Sequence, residues 1–309
     1  MIHVASVLIV ANPEDLHAKF IGRTLEQRSC DVRFLHIARF ARTAAVSVQP
    51  RNPPCAEVID SDAVLDLDGV ATVWYRRQGR PELPPDLTAD DQAFALREWE
   101  QTLDGIVLSL DAKFVNPVGA QRAAVKPRQL VVASRHGLRV PETLITSSPS
   151  AAIEFIDVHS GRVVHKTMSA PRHLFAATQR WQAGDERFLA NLGIAPVMFQ
   201  EEISGACEIR ATIVGDDVFA ARIETDANTV DSRLRPDAPC DAWALPDQVC
   251  EAALRTMRSL GLVFGTMDLK IDDNGEYVFF EINPQGQFLY IEILTGLPIS
   301  DALASLLAS

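Results

Sequence analysis

The sequence predicts a mixed fold: a parallel α/β unit at the N-terminus, then two units of short strands and single helices. Three observations carry this reading. The apolar run Val4-Ala5-Ser6-Val7-Leu8-Ile9-Val10 precedes a helical pattern over residues 14–26 and a second strand over 31–37. That is the strand–helix–strand order of a parallel unit. A helical segment over 126–135 stops at Gly137, a residue suited to a helix C-terminus, and short strands follow. Near the end, Gly265-Thr266-Met267-Asp268-Leu269-Lys270-Ile271 and Tyr277-Val278-Phe279-Phe280-Glu281-Ile282-Asn283-Pro284 flank Asn274-Gly275, a strong hairpin signal.

Each element has its own signature. Ala71-Thr72-Val73-Trp74-Tyr75-Arg76 reads as a further strand of the first unit, followed by a proline-rich break over 81–85. Residues 90–110 have helical spacing, and Phe114-Val115-Asn116-Pro117 is a short strand running into a boundary. No glycine-rich dinucleotide fingerprint follows the first strand and no P-loop occurs, which removes two common nucleotide sites. In the second unit, strands are expected around 142–145, 163–168 and 197–202, with a polar, irregular stretch over 169–191. The third unit pairs strands 208–214 and 217–224 through Gly215-Asp216, then runs through a Pro- and Asp-rich loop, a helix over 247–260 and the hairpin.

A chain of 309 residues holds two or three domains, and 47% apolar with 23% charged residues is ordinary for a globular protein. The formal net charge of -12 argues against a nonspecific nucleic-acid binder. No apolar stretch approaches the length of a membrane span, and the start lacks a signal-peptide pattern. Five scattered cysteines without a C-x-x-C pair give no structural zinc, so a reduced, cytoplasmic enzyme is expected.

Chemistry concentrates in the hairpin. With Asn274 and Gly275 as a two-residue turn, counting back in register puts Asp268 opposite Glu281, and Asn283 shares that face. Met267, Leu269, Ile271, Val278, Phe280 and Ile282 fall on the other, apolar face. Facing carboxylates repel, and a hard divalent cation such as Mg2+ relieves that; a polar face in water accounts for the same pattern. Lys126 and Lys166 stand in organised contexts in a chain poor in lysine, and Lys166 lies inside a strand. Gln200-Glu201-Glu202-Ile203 ends another strand, where an edge offers backbone N–H and C=O to a purine. Glu208 and Arg210 share one strand face, and Arg222 and Arg233 are further guanidinium candidates for phosphate. Each of these taken alone also fits an ordinary surface charge.

Taken in order, Lys126, Lys166, Gln200-Glu201-Glu202-Ile203, Glu208-Ile209-Arg210, Asp268 and Glu281-Ile282-Asn283-Pro284 resemble the ATP-grasp carboxylate–amine ligases. More narrowly, the chain is similar to the ATP-grasp peptide maturases of the microviridin, or graspetide, type. This similarity rests on Val73-Trp74-Tyr75-Arg76-Arg77, Phe114-Val115-Asn116-Pro117, Lys126-Pro127-Arg128-Gln129-Leu130, Val140-Pro141-Glu142-Thr143-Leu144-Ile145-Thr146 and Glu281-Ile282-Asn283-Pro284-Gln285-Gly286-Gln287. The family's Asp-Trp-Arg triplet stands here as Asp231-Ser232-Arg233. The resemblance implies a pre-ATP-grasp domain over 1–118 and two α+β subdomains, 119–197 and 198–309, that enclose ATP.

It further implies that Lys126 and Lys166 contact phosphates, with Lys166 also near the adenine. The adenine edge would run along Gln200, Glu201, Glu202 and Ile203, with Glu208 beside the nucleotide. Asp268, Glu281 and Asn283 would hold two Mg2+ ions. Arg210 would meet the transferring phosphoryl group, with Arg222 or Arg233 next to it. The implied reaction activates Asp or Glu side chains of a ribosomal precursor peptide and joins them as esters or amides. A homodimer is implied, with no nucleic-acid or membrane partner. The alternatives are a ligase for a free amino acid or small carboxylate, and a phosphotransferase on the same fold. Residues 169–191 are expected to close over ATP or to contact the peptide.

Overall fold

The computed structural model describes residues 5–49, 55–60, 63–77, 79–169, 178–225 and 238–309. Strand β1 (Ser6–Val10) is buried at every position, as a central parallel strand covered on both faces must be. Helix α1 (Leu16–Gln27) starts at Asp15, whose carboxylate caps the His17 and Ala18 amides. After β2 (Asp31–Leu35) come three strands not expected from the sequence: β3 (Ala44–Gln49), β4 (Cys55–Asp60) and β5 (Ala63–Asp66), an antiparallel meander. Next are β6 (Thr72–Tyr75), the long helix α2 (Ala89–Leu108) capped by Thr88, and β7 (Lys113–Val115). The parallel sheet has the order β2-β1-β6-β7.

Helices α3 (Val118–Ala123) and α4 (Lys126–Arg135) lead to β8 (Thr143–Thr146), helix α5 (Pro149–Val158), β9 (Val163–Lys166) and β10 (Gln179–Arg180). The short α6 (Glu186–Leu189) and β11 (Val197–Glu201) follow, giving a sheet of order β10-β9-β11-β8. Part of the irregular 169–191 stretch, residues 170–177, lies outside the described residues. The third sheet, β14-β13-β12-β15-β16, is antiparallel: β12 (Cys207–Val214), β13 (Asp217–Glu224), β14 (Cys240–Trp243), β15 (Phe264–Ile271) and β16 (Tyr277–Asn283). Helix α7 (Asp247–Leu260) and α4 pack on one face of it, over Ile209, Ala211, Met267, Leu269 and Phe279.

Helices α8 (Leu289–Thr295) and α9 (Ile299–Ala308) return to the first domain. Leu303 and Leu307 share a core with Val7, Ile9, Ile21 and Leu25 of the N-terminal unit. Between the second and third sheets the chain crosses at 202–206. A side chain at Gly205 would put its Cβ 2.1 Å from the Ile271 carbonyl oxygen, so this crossing requires glycine. No helix among the described residues is long and apolar enough to cross a membrane.

The closing hairpin corrects the expected register. Its turn spans residues 272–276, with Gly275 at φ +81: the Asp272 amide donates to the Glu276 carbonyl, and three residues, 273–275, lie between them. Ile271 therefore pairs with Tyr277 and Leu269 with Phe279, one residue off the expected count. A bulge between those pairs and the next then restores Asp268 opposite Glu281 and Thr266 opposite Asn283. The expected apolar set changes accordingly. Phe279 joins the core, while Phe280 turns to the polar side and Val278, also buried, lies opposite Lys270.

Candidate functional site

A cleft of about 790 Å³ opens between the second and third sheets. Its floor is the polar face of β12, β15 and β16, where alternation presents every second side chain. Glu208 lies directly opposite Lys270, and Arg210 directly opposite Asp268, which in turn faces Glu281. Opposite charges in cross-strand register attract, so the floor is a ladder of matched pairs. Lys166 of β9 comes from the other wall, its Nζ 5.7 Å from the centre of the Phe280 ring. Gln200, Glu201, Glu202 and Ile203 form the rear of the cleft where one sheet passes into the other. The Gln200 side chain is committed to Thr143, donating from Nε2 to Oγ1 at 2.9 Å, and its main chain lies in β11 between β8 and β9.

The two facing acids are each matched by a cation. Arg210 Nη1 donates to Asp268 Oδ1 at 2.7 Å, and Lys126 Nζ lies 2.8 Å from Glu281 Oε2. Lys126 thus reaches the site through Glu281 and does not line the cleft itself. Burial works against the charge of Arg210, and the adjoining Asp268, Tyr290 and Glu281 outweigh it, holding its pKa above the ordinary value. Its Nε is buried without a hydrogen-bond acceptor among the described residues. Burial also pushes the Tyr290 hydroxyl up to about 12, and its ring lies 5.8 Å from the Arg210 guanidinium.

Asn283 stands just past the acids at the end of β16. Its Oδ1 accepts from the Gln285 amide at 3.0 Å, opening the loop that follows. Two carboxylates and an amide are hard oxygen donors and fit Mg2+, which commonly takes one or two carboxylates and completes its shell with phosphate and water. Among the described residues no three His, Cys, Asp or Glu side chains gather into a metal cage.

Two expected residues stand apart from this cleft. Arg222 is a correction: it shares a strand face with Val218 and Ala220, which pack toward the α7 core, while its neighbour Ile223 lines the cleft. Its guanidinium lies 5.1 Å from the centre of the Trp243 ring and 3.2 Å from Glu224, and it does not line the cleft. Arg233 lies outside the described residues. The cleft residues not anticipated as site residues include Lys270, Arg180, Phe280 and Tyr290. Lys270 was legible in principle, since it sits two positions after Asp268 on the same strand face. Arg180, whose Nε is 2.6 Å from Glu202 Oε1, and Tyr290 come from elements the sequence leaves unmarked.

Comparison with known proteins agrees with this architecture. A family model described as the MvdD pre-ATP grasp domain matches residues 6–122, and one for the RimK-like ATP-grasp domain matches 123–307. The macrocyclase MdnC from Microcystis aeruginosa MRC, solved with precursor peptide MdnA, superposes with a TM-score of 0.89 at 28% identity, over 98% of this chain and 99% of that one. The macrocyclase MdnB from the same organism gives 0.87 and 29%, again over 98% and 99%. The ribosomal protein bS6–L-glutamate ligase of Escherichia coli (strain K12 / DH10B) is 30% identical over 190 residues, 59% of this chain. The match spans 63% of that relative's own length. A parallel N-terminal sheet, a cleft walled by the β10-β9-β11-β8 and β14-β13-β12-β15-β16 sheets, and two matching family models place the chain in the RimK-like ATP-grasp family, behind a pre-ATP-grasp domain of the MvdD type.

Proposed function

We propose that the protein is an ATP-dependent ligase that joins side chains within a ribosomally made precursor peptide. The observation that carries this reading is the cleft floor, where Arg210, Asp268 and Glu281 stand in one cross-strand row beside Lys166 and Lys270. A peptide carboxylate attacks the γ-phosphorus of ATP, the bond to the β-phosphate oxygen breaks, and ADP leaves with the electron pair. A Ser or Thr hydroxyl, or a Lys amine, then attacks the acyl phosphate, gives up its proton and expels phosphate.

Attack of one anion on another needs charge neutralised along the path. Arg210 supplies a charge locked by Asp268 and a buried Nε that still lacks an acceptor. Lys166 and Lys270 add charge in the cleft, and residues 200–203, which line it, would meet the adenine. Asp268, Glu281 and Asn283 would hold Mg2+, which when bound neutralises phosphate oxygens. We assign two ions to that site, one nucleotide to each chain, and a homodimer in the cytoplasm. The domain borders that go with this reading are 1–118, 119–197 and 198–309. Likeness to two macrocyclases over nearly the whole length of each supports a peptide substrate.

A second reading, addition of a free amino acid, draws on the likeness to the bS6–L-glutamate ligase. The deciding experiment incubates the protein with ATP, Mg2+ and the precursor peptide encoded beside it, followed by intact mass. Loss of one water per bond means crosslinking. A gain of an amino-acid residue favours the second reading, and a gain of phosphate alone means a kinase.

A further inference from the structure

The loop that follows Asn283 is held almost entirely by side chains from elsewhere. Gln129 of α4 takes both sides of Ile282: its Oε1 accepts from the Ile282 amide and its Nε2 donates to the Ile282 carbonyl, each at 2.8 Å. Asn116, just after β7, donates from Nδ2 to the Pro284 carbonyl at 3.0 Å while its Oδ1 accepts from the Val263 and Phe264 amides. Arg76, just after β6, donates from Nη1 to the Gln285 and Gly286 carbonyls, both at 3.3 Å. His17 of α1 accepts at Nε2 from the Phe288 and Leu289 amides at 3.0 and 3.3 Å. Between them, the Gln287 carbonyl accepts from Arg210 Nη2 at 3.2 Å.

The loop also has no slack on its packed side. A Cβ at Gly286 would lie 2.0 Å from Thr266 Oγ1, so the backbone rests directly on β15. Arg76 is the centre of this clamp. It is 1% exposed, and its Nε lies 2.9 Å from Asp15 Oδ2, itself 6% exposed. A charge taken out of water this completely is kept only with a partner and hydrogen bonds; here Nε and Nη1 are used, while Nη2 is buried without a partner among the described residues.

We propose that Arg76, fixed by Asp15, is a positioning residue of the active site. By gripping residues 285 and 286 it sets Asn283 on one side of the loop and, through the Gln287 carbonyl, Arg210 on the other. The N-terminal domain thereby fixes the geometry of an ATP site to which it contributes no cleft-lining residue among those described. This rests on the reading above that Asn283 and Glu281 hold Mg2+. It differs from a purely structural role because it predicts a defect specific to the metal.

The test uses the full chain with Arg76→Lys, with the double substitution Arg76→Met and Asp15→Asn, and with Asn283→Ala as reference. Asn at position 15 keeps a good helix cap. Two quantities are read: hydrogen exchange of the amides over 285–289, and the Mg2+ concentration at which ADP binding tightens in calorimetry. In the double variant the loop amides exchange at least about tenfold faster while amides of β1 and β12 stay protected. Its Mg2+ requirement rises about tenfold or more, the size expected when an outer-shell support is removed, with metal-free ADP affinity within about twofold of wild type. Arg76→Lys, which keeps the charge and loses the fork, falls between and is the variant read if the double one does not fold. If Asn283→Ala raises the Mg2+ requirement and neither Arg76 variant does, the proposal is wrong. If Asn283→Ala itself changes nothing, the metal reading fails and takes the proposal with it.

Discussion

The two ends of the β15–β16 hairpin are held in opposite ways. At the turn, the Asp272 carboxylate accepts from the Asn274 and Glu276 amides at 2.9 and 2.8 Å, and one arginine, Arg139, clips Asp272 and Glu276 from outside. Everything but Arg139 lies within five residues, and Arg139 is 38% exposed. At the other end, the segment from Ile282 to Leu289 is held by Gln129, Asn116, Arg76 and His17, which stand 153 to 272 positions away. The turn shapes itself; the loop is shaped by the rest of the protein. A locally closed element tolerates loss of its outer clip, whereas a loop closed internally only by Asn283, through the Gln285 and Gly286 amides, depends far more on its remote partners.

That contrast predicts a graded series. The largest effect belongs to the loop end itself. Glu281→Gln or Asn283→Ala should lower product formation about 100-fold or more, as loss of charge stabilisation at a reacting centre does, with melting temperature little changed. Intact-mass kinetics measure this, and wild-type turnover by either variant would sink the metal assignment. Loss of the Arg76 grip comes next, as described above.

His17 gives the loop end a pH dependence. Burial first, then Arg76, lowers its pKa to about 4 from the ordinary 6.5, although Asp15 pulls the other way. The neutral ring is the form that accepts at Nε2. Between pH 6.5 and 4 the unfolded chain binds a proton that the folded one refuses, so stability is full above 6.5 and falls toward 4. Allowing for partial solvent access, the loss is on the order of 2 kcal/mol. Urea melts at pH 7.5 and 4.5 should show it in the wild type and largely not in His17→Gln. An equal fall in both proteins would assign the acid sensitivity to other groups.

The turn end should respond weakly. Gly275 sits at φ +81, so Gly275→Ala should cost about 1 kcal/mol of stability with turnover unchanged. Arg139→Gln should change turnover by less than about twofold, as expected for an exposed ion pair. If Arg139→Gln were as damaging as the Arg76 variants, the distinction between the two ends would collapse.

The sequence made the two ends unequally legible for the same reason. Asn274-Gly275 announces a turn locally, and the facing of Asp268 and Glu281 could be counted from it. The count reached the right pair because two irregularities cancel: a turn one residue longer than expected and a bulge near Phe280. No local signal marks that bulge, so Phe280 was assigned to the core although it lines the cleft. Arg222 failed for a simpler reason. A strand shows which residues alternate but not which face meets the cleft, and Arg222 is one position out of phase with Ile223.

The motifs that marked the family had no stated purpose in the sequence. Trp74-Tyr75-Arg76, Asn116-Pro117 and Pro127-Arg128-Gln129 turn out to supply three of the side chains that hold the loop after Asn283. Their meaning lay in distances across the fold, which composition and periodicity do not encode. The meander over residues 44–66 went unread as well, since its short strands lack a turn signal as strong as Asn-Gly.

The apolar core shared by α1, β1 and α9 bears on how such enzymes can be recombined. The family border at residue 122 divides the chain by ancestry, yet Leu303 and Leu307 complete the interior of the first half. A chimera that swaps residues 6–122 alone would graft a domain without its own lid of apolar side chains. An exchange of the N-terminal domain between relatives should therefore carry α9 with it and leave in place α8, whose Tyr290, Ile293 and Leu294 line the cleft.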